Sequence, residues 1–146
     1  MSVHAAPLPY TIDFAEENDF PEMAALYASS RDDALELEGE TLEHLQWNAF
    51  SNHVIFKMVD HSQNNAIVAY SIIERIDDGK MILGEETGQP GPRQIMMESI
   101  RDLAKGLGMK ALQIDSDPRN DAFFMASGFE KTREMPGINF WKLALK

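Results

Sequence analysis

The segment Leu112-Gln-Ile-Asp-Ser-Asp-Pro-Arg-Asn-Asp-Ala-Phe-Phe-Met-Ala-Ser-Gly-Phe129 decides how the chain is read. Ala111 to Asp115 reads as a buried strand. Asp117 and Pro118 then open a short helix from Arg119 to Ser127, because an Asp cap and an early proline both suit a helix start. Phe123 and Phe124 are placed to plug this helix onto a sheet. Gly128 supplies the left-handed turn that returns the chain as a strand from Phe129 to Glu134, with Phe129 sealing the core. Glycine caps are common enough that many β-α-β units could end this way.

Working outward, Ile95 to Leu107 places Met96, Ile100, Leu103 and Leu107 on one helical face, and Gly108 ends it. Val54–Val59 and Ala66–Ile76 read as a hairpin joined by the polar His61–Asn65 stretch. Asp77-Asp78-Gly79 turns into a short strand, Lys80 to Gly84, and the Gly- and Pro-rich Glu85–Gln94 reads as a loop. Before these lie a strand at Tyr10–Phe14, a helix capped by Asp19, an acidic loop Arg31–Glu40 and a helix capped by Thr41. Phe140–Leu145 is the last strand. The expected fold is α/β (α+β), one domain over residues 1–146, with element order β-α-α-β-β-β-α-β-α-β-β. The helix between the strands at Lys80 and Ala111 implies one parallel pair in a mostly antiparallel mixed sheet. Phe123, Phe129, Ile114 and Leu103 are expected in one core.

The 146 residues are 44% hydrophobic and 25% charged, a globular balance. The absence of cysteine excludes disulfides, thiolate nucleophiles and cysteine-ligated metals. A net charge of −11 disfavours nucleic acid and suits either solubility or attraction of a cationic substrate. The apolar runs are too short for a membrane span, and Met1–Tyr10 does not read as a signal peptide, so a cytoplasmic location is expected. His4, His44, His53 and His61 show no metal spacing; His44 and His53 are the pair able to approach each other, without a third ligand.

Asp117, Pro118, Phe123, Phe124, Gly128 and Phe129, set in this element order, resemble the strand-helix-strand block of the GNAT superfamily of acyl-coenzyme A N-acyltransferases. The resemblance covers most of the chain by element order and is specific from about Ile95 to Glu134. It implies a mixed central sheet, acetyl-CoA as cofactor and an amine acceptor, either a small molecule or a peptide, with a homodimer left open. It also assigns the pyrophosphate loop to Gly88-Gln-Pro-Gly-Pro-Arg93, with Gln89, Gly91, Arg93 and Gln94 as cofactor-binding residues. Gly91 matches the family's first loop glycine. Gly88 stands where Gln or Arg is usual, and Arg93 where a small residue is usual. Pro90 and Pro92 carry no N–H, so Arg93 is expected either to pair with a phosphate directly or to be a solvated first-turn residue.

Phe124 falls where many relatives carry a tyrosine near the thioester sulfur. It is expected at the cofactor but without a proton to give. The short span from Lys80 to Gly91 implies a truncated fourth strand. Glu85 and Glu86 are the candidate catalytic residues, as general base directly or through water, against the alternative of simple solvation. Tyr70 is read as packing or as acceptor-side lining, and Asp117 as a helix cap. Two functions follow: an N-acetyltransferase acting by direct amine attack on the thioester, or a binding protein of the same fold that has lost cofactor and catalysis.

Overall fold

The computed structural model describes residues 9–29 and 34–146. The elements are β1 Tyr10–Phe14, α1 Phe20–Ser29, α2 Ala34–Phe50, β2 Val54–Asp60, β3 Ala66–Asp77, β4 Lys80–Gly88, α3 Pro92–Gly106, β5 Ala111–Ser116, α4 Asp121–Ala126, β6 Glu130–Met135 and β7 Ile138–Ala144. The element order is the one the sequence predicts. The strands form one sheet in the order β1-β2-β3-β4-β5-β7-β6. Every pairing is antiparallel except β4 with β5, where Lys80–Leu83 run beside Ala111–Ile114.

Each face of the sheet buries a separate core, because helices lie on both sides. On one face α3 and α4 cover Met81, Leu83, Leu112, Ile114, Phe129 and Trp141, with Met96, Met97, Ile100 and Phe124 pointing down from the helices. On the other face α1 and α2 cover Ile55, Ile67, Tyr70 and Ile72, through Phe20, Met23, Ala24 and Leu45. Ile114 and Phe129 are buried in the first core as expected, while Phe123 and Leu103 pack on its margin, half-buried. The turn Asp78-Gly79 has positive φ at both residues (52° and 77°), the geometry that matches hairpin twist and favours glycine second.

Several boundaries differ from the sequence reading. Asp19 does not cap α1. It ends a short 3₁₀ turn, and its carboxylate accepts the Glu16 backbone N–H at 2.8 Å while pairing with Lys57. The helix predicted from Thr41 already begins at Ala34, so the acidic loop is helix over 34–40; its residues 31–33 lie outside the described chain, as does His4. Thr41 is therefore an interior, buried helix residue and not a cap. The fourth strand is not truncated: it continues through Glu85–Gly88, residues read as loop. Likewise α3 begins at Pro92 and not at Ile95, since proline is well suited to the first helical turn.

Candidate active site at the divergence of β4 and β5

The parallel ladder ends at Leu83 and Ile114. Beyond that point β4 continues to Gly88 with no strand beside it on the β5 side, while β5 stays paired with β7. The gap opens a cavity of about 310 Å³, within the size range of small-molecule sites. Its walls carry five carboxylates, Glu74, Glu85, Glu86, Asp115 and Asp117, together with His44 from α2 and Tyr27 from α1.

A local irregularity in β4 sorts the two adjacent glutamates. The β3–β4 register shifts on either side of the Ile73–Leu83 pair. Met81 and Leu83 lie on the α3 face, so strict alternation would put Glu85 there too. Because the shift inserts an extra residue locally, Glu85 instead joins Tyr70 on the α1/α2 face, and Glu86 turns to the α3 face.

Glu85 is held from two sides. The Tyr70 hydroxyl donates to its Oε2 at 2.6 Å, and His44 Nδ1 lies 3.6 Å from its Oε1. Tyr70 is fully buried, and burial, with the Glu85 charge adding to it, holds its hydroxyl well above the ordinary phenol pKa. It therefore stays a donor and fixes the carboxylate. The close approach of the Glu85 carboxylate raises the His44 pKa, partly opposed by burial. Glu85 keeps 14% of its side chain exposed, toward the cavity.

Glu86 has a different surrounding. Arg93 Nε donates to Glu86 Oε1 at 2.8 Å and Nη2 to Oε2 at 2.6 Å. The same guanidinium donates to Asn120 Oδ1 at 3.1 Å and stacks 3.8 Å over the Phe123 ring. With only 5% of its side chain exposed, Glu86 is a paired structural anion and not a free base. Arg93 is correspondingly committed to Glu86, in place of the direct phosphate contact or the solvated position expected of it. The pair ties together the end of β4, the start of α3 and the turn before α4.

The loop from Gly88 to Arg93 is thin in donors. The Gln89 N–H is taken by the Val68 carbonyl, that of Arg93 by Gln89 and that of Ile95 by Gly91. With Pro90 and Pro92 lacking donors, the N–H groups of Gly91 and Gln94 are left without a backbone partner among the described residues. Both sit at the start of a 15-residue helix, where an anion is favoured. Gly91 has φ 89° and needs to be glycine. Gly88, expected to be an anomaly, has a steric reason. A Cβ there would lie 2.8 Å from the Ala69 Cβ and 3.0 Å from the Val68 carbonyl oxygen. The Gln89 side chain is turned toward Gln63, 3.5 Å away.

Phe124 does not reach the cleft. It has no exposed surface and packs against Phe123, Phe129 and Trp141 at 5.4–5.8 Å between ring centres. Its expected contact with the cofactor is corrected to a core role. Asp117 caps the turn before α4, accepting the Arg119 N–H at 2.8 Å, as read from sequence. His44 and His53 are separated by Trp47, which stacks on one and meets the other edge-on. No cluster able to hold a metal occurs among the described residues. None of the described helices is long and apolar enough to cross a membrane. The sequence reading missed His44 and Glu74 as cavity residues.

The free β4 edge from Gly84 to Gly88 and the two open N–H groups of α3 together fit a ligand with an extended amide arm and a phosphate end. That is the form of a coenzyme A thioester, though with few phosphate donors.

No protein-family model matches the chain, and no curated protein sequence matches it. Solved structures do. A candidate ribosomal-protein-serine acetyltransferase from Vibrio cholerae superposes with TM-score 0.71 at 11% identity, over 99% of each chain. The ribosomal-protein-S18-alanine N-acetyltransferase of Escherichia coli gives 0.66 at 17% identity, over 94% of each chain. A candidate acetyltransferase from Salmonella typhimurium, solved with its cofactor acetyl-CoA, gives 0.62 at 17%, again over 94% of each. The fold is the GNAT fold.

Proposed function

We propose that this chain is an acetyl-CoA-dependent N-acetyltransferase for a cationic amine, with the amine bound in the acidic cavity against Glu85. The observation that carries this reading is the divergence of β4 from β5 beyond Leu83 and Ile114, with a fixed carboxylate on the wall of the resulting cavity. Acetyl-CoA would supply an activated acetyl thioester. The Gly91 and Gln94 N–H groups would hold its phosphate end, and the β4 edge its amide arm. Glu85, oriented by Tyr70, receives the incoming ammonium and takes a proton from it, leaving the amine nucleophilic. Glu86 takes no part, because both of its oxygens are occupied by Arg93.

The test is a pair of measurements on the purified protein. Acetyl-CoA should raise the melting temperature, since a ligand that binds only the folded state stabilises it. Transfer to an amine should then release free thiol. Tyr70→Phe should lower kcat while the fold is retained. A melting temperature indifferent to acetyl-CoA would overturn the reading.

A second reading, a cofactor-free binding protein of the same fold, is favoured by the Arg93–Glu86 pair, which engages Nε and Nη2 of the guanidinium internally, and by the sealed Phe124. It predicts no thermal shift with acetyl-CoA and no thiol release.

A further inference from the structure

The cavity between β4 and β5 is lined from both faces of the sheet, with Tyr27, His44 and Glu85 on the α1/α2 side and Glu86, Ser116 and Asn120 on the α3/α4 side. Ser116 is the last residue of β5 and stays in register with Asn139 of β7, so its backbone is fixed where β4 has already parted. Leu112 and Ile114 lie in the core beneath α3, and alternation puts the Ser116 side chain on the same face. There a chain of hydrogen bonds sets the direction of its hydroxyl. Arg93 can only donate, so Asn120 meets its Nη2 with Oδ1, at 3.1 Å. Asn120 Nδ2 is thereby turned to Ser116 and donates to its Oγ at 2.7 Å. Ser116 accepts this bond and makes no other hydrogen bond among the described residues, so its own proton is left to point into the cavity it lines. Arg93 is in turn held by both oxygens of Glu86. The ion pair thus fixes the polarity of a neighbouring donor on the cavity wall.

We infer that the Ser116 hydroxyl is the hydrogen-bond donor to the departing sulfur in acyl transfer, and that Asn120 is its positioning residue. This inference rests on the acyl-transfer reading and adds to it a residue for the second half of the reaction. With the phosphate end at Gly91 and Gln94 and the amide arm along Gly88 to Gly84, the thioester end reaches the vertex where β4 and β5 part, beside Ser116. Glu85 and Ser116 stand on opposite sides of that opening, so the amine is deprotonated from one side and the leaving group is met from the other. The amine nitrogen forms its bond to the acetyl carbon, the carbon–sulfur bond breaks, and its electron pair passes to sulfur. Ser116 steadies that pair through a hydrogen bond and keeps its own proton, because an alcohol is a weaker acid than a thiol. The sulfur takes a proton from water, and the two protons that the ammonium loses pass to Glu85 and on to water. A fixed donor aimed where charge develops is worth more than the same donor in bulk water.

The experiment titrates the thiol of bound coenzyme A by its ultraviolet thiolate absorbance. The chain has no cysteine, so the thiolate signal is the ligand's alone. Thiol release from acetyl-CoA is measured beside it, with 1-butylamine as acceptor. A donor at the sulfur favours the thiolate, so Ser116→Ala should raise the pKa of the bound thiol by about one unit and slow release by about tenfold. Ser116→Thr keeps the hydroxyl and should restore both. Asn120→Asp keeps an acceptor for Arg93 but draws the Ser116 proton to itself, so it should leave the melting temperature no lower while slowing release as Ser116→Ala does. Adding Asn120→Asp to Ser116→Ala should then slow release no further, whereas two independent effects would multiply. A bound thiol that titrates alike with and without the Ser116 hydroxyl overturns the inference, as does an unchanged rate in folded Ser116→Ala; either result leaves acyl transfer standing. Coenzyme A that binds with the expected thiol shift, but without thiol release from acetyl-CoA, would sink the acyl-transfer reading and keep Ser116 as the donor at the sulfur. Coenzyme A that does not bind at all would overturn both.

Discussion

Arg93 and Glu86 meet in a two-point pair, Nε to Oε1 at 2.8 Å and Nη2 to Oε2 at 2.6 Å, at the seam between the Gly88–Arg93 loop and the acidic cavity. Both side chains are mostly covered, with 20% of Arg93 and 5% of Glu86 exposed. Removing one partner from such a pair strands the other charge, which costs more than the pair itself is worth. Glu86→Gln should therefore lower unfolding free energy by roughly 2–4 kcal/mol, less than for a fully dry pair because Arg93 keeps some water contact. Urea denaturation measures it. A loss under ~0.5 kcal/mol would mean that the pair is no better than a surface ion pair.

Gly88 has an independent steric role. Its would-be Cβ meets the Ala69 Cβ at 2.8 Å and the Arg93 Cβ at 3.0 Å, and neither neighbour has freedom to move away. Gly88→Ala should destabilise the protein by about 1–3 kcal/mol, the usual cost of overpacking. It should also weaken the Arg93–Glu86 contact, because it pushes on Arg93 at its base. An alanine variant as stable as the parent in thermal denaturation would show that the strand end relaxes freely.

The element order and the parallel pair were legible because glycine, proline and periodic apolar residues carry them locally: Gly108 and Gly128 both adopt positive φ where the sequence places a helix end. The site was legible only in part. Glu85 and Glu86 look equivalent in sequence, and their separation to opposite faces depends on a register shift at Ile73 and Leu83 that no local pattern encodes. Arg93 looks like a phosphate ligand until β4 is seen to run on to Gly88 and bring Glu86 beside it. His44 comes from a helix remote in sequence, and its relevance arises only when α2 packs over the sheet. The second aromatic of the Phe123–Phe124 pair matched the motif, but which ring points inward is set by the docking of α4.

His44 gives the site a pH dependence of known sign. Its pKa lies above the ordinary 6.5, first because of its close contact with the Glu85 carboxylate, with the charge of Glu74 adding to it. The imidazolium thus contributes stability that is fully present below pH 6.5 and is lost as pH rises through the folded value. For ligand binding the direction is opposite, because the imidazolium competes with an ammonium for Glu85. Affinity for an ammonium bound at Glu85 should therefore rise with pH in the window just above 6.5, as the imidazole becomes neutral. His44→Gln should flatten that limb while leaving the protein folded. An unchanged pH profile in the variant would remove His44 from the site.

Phe124 discriminates between two meanings of the same motif. If its ring faced a thioester, Phe124→Tyr would supply a phenol near the leaving sulfur and raise turnover. The ring instead has no exposed surface, and Phe123, Phe129 and Trp141 surround it at 5.4–5.8 Å. The neighbouring Trp141 Nε1 is itself buried without a hydrogen-bond partner among the described residues, and an indole N–H can only donate. A tyrosine hydroxyl could accept from it only by coming within about 3 Å in the right direction. Without that geometry, the added oxygen is a buried polar group lacking a partner. Phe124→Tyr should then cost about 1–3 kcal/mol of stability, measured by chemical denaturation, with no gain in the rate of thiol release. A variant of unchanged stability would point to the Trp141 N–H as the new partner and would still leave the rate unaltered. A rise in turnover of about tenfold or more, the lower reach of general acid catalysis, would mean that the ring swings into the cleft and that the core position described here is not the working one.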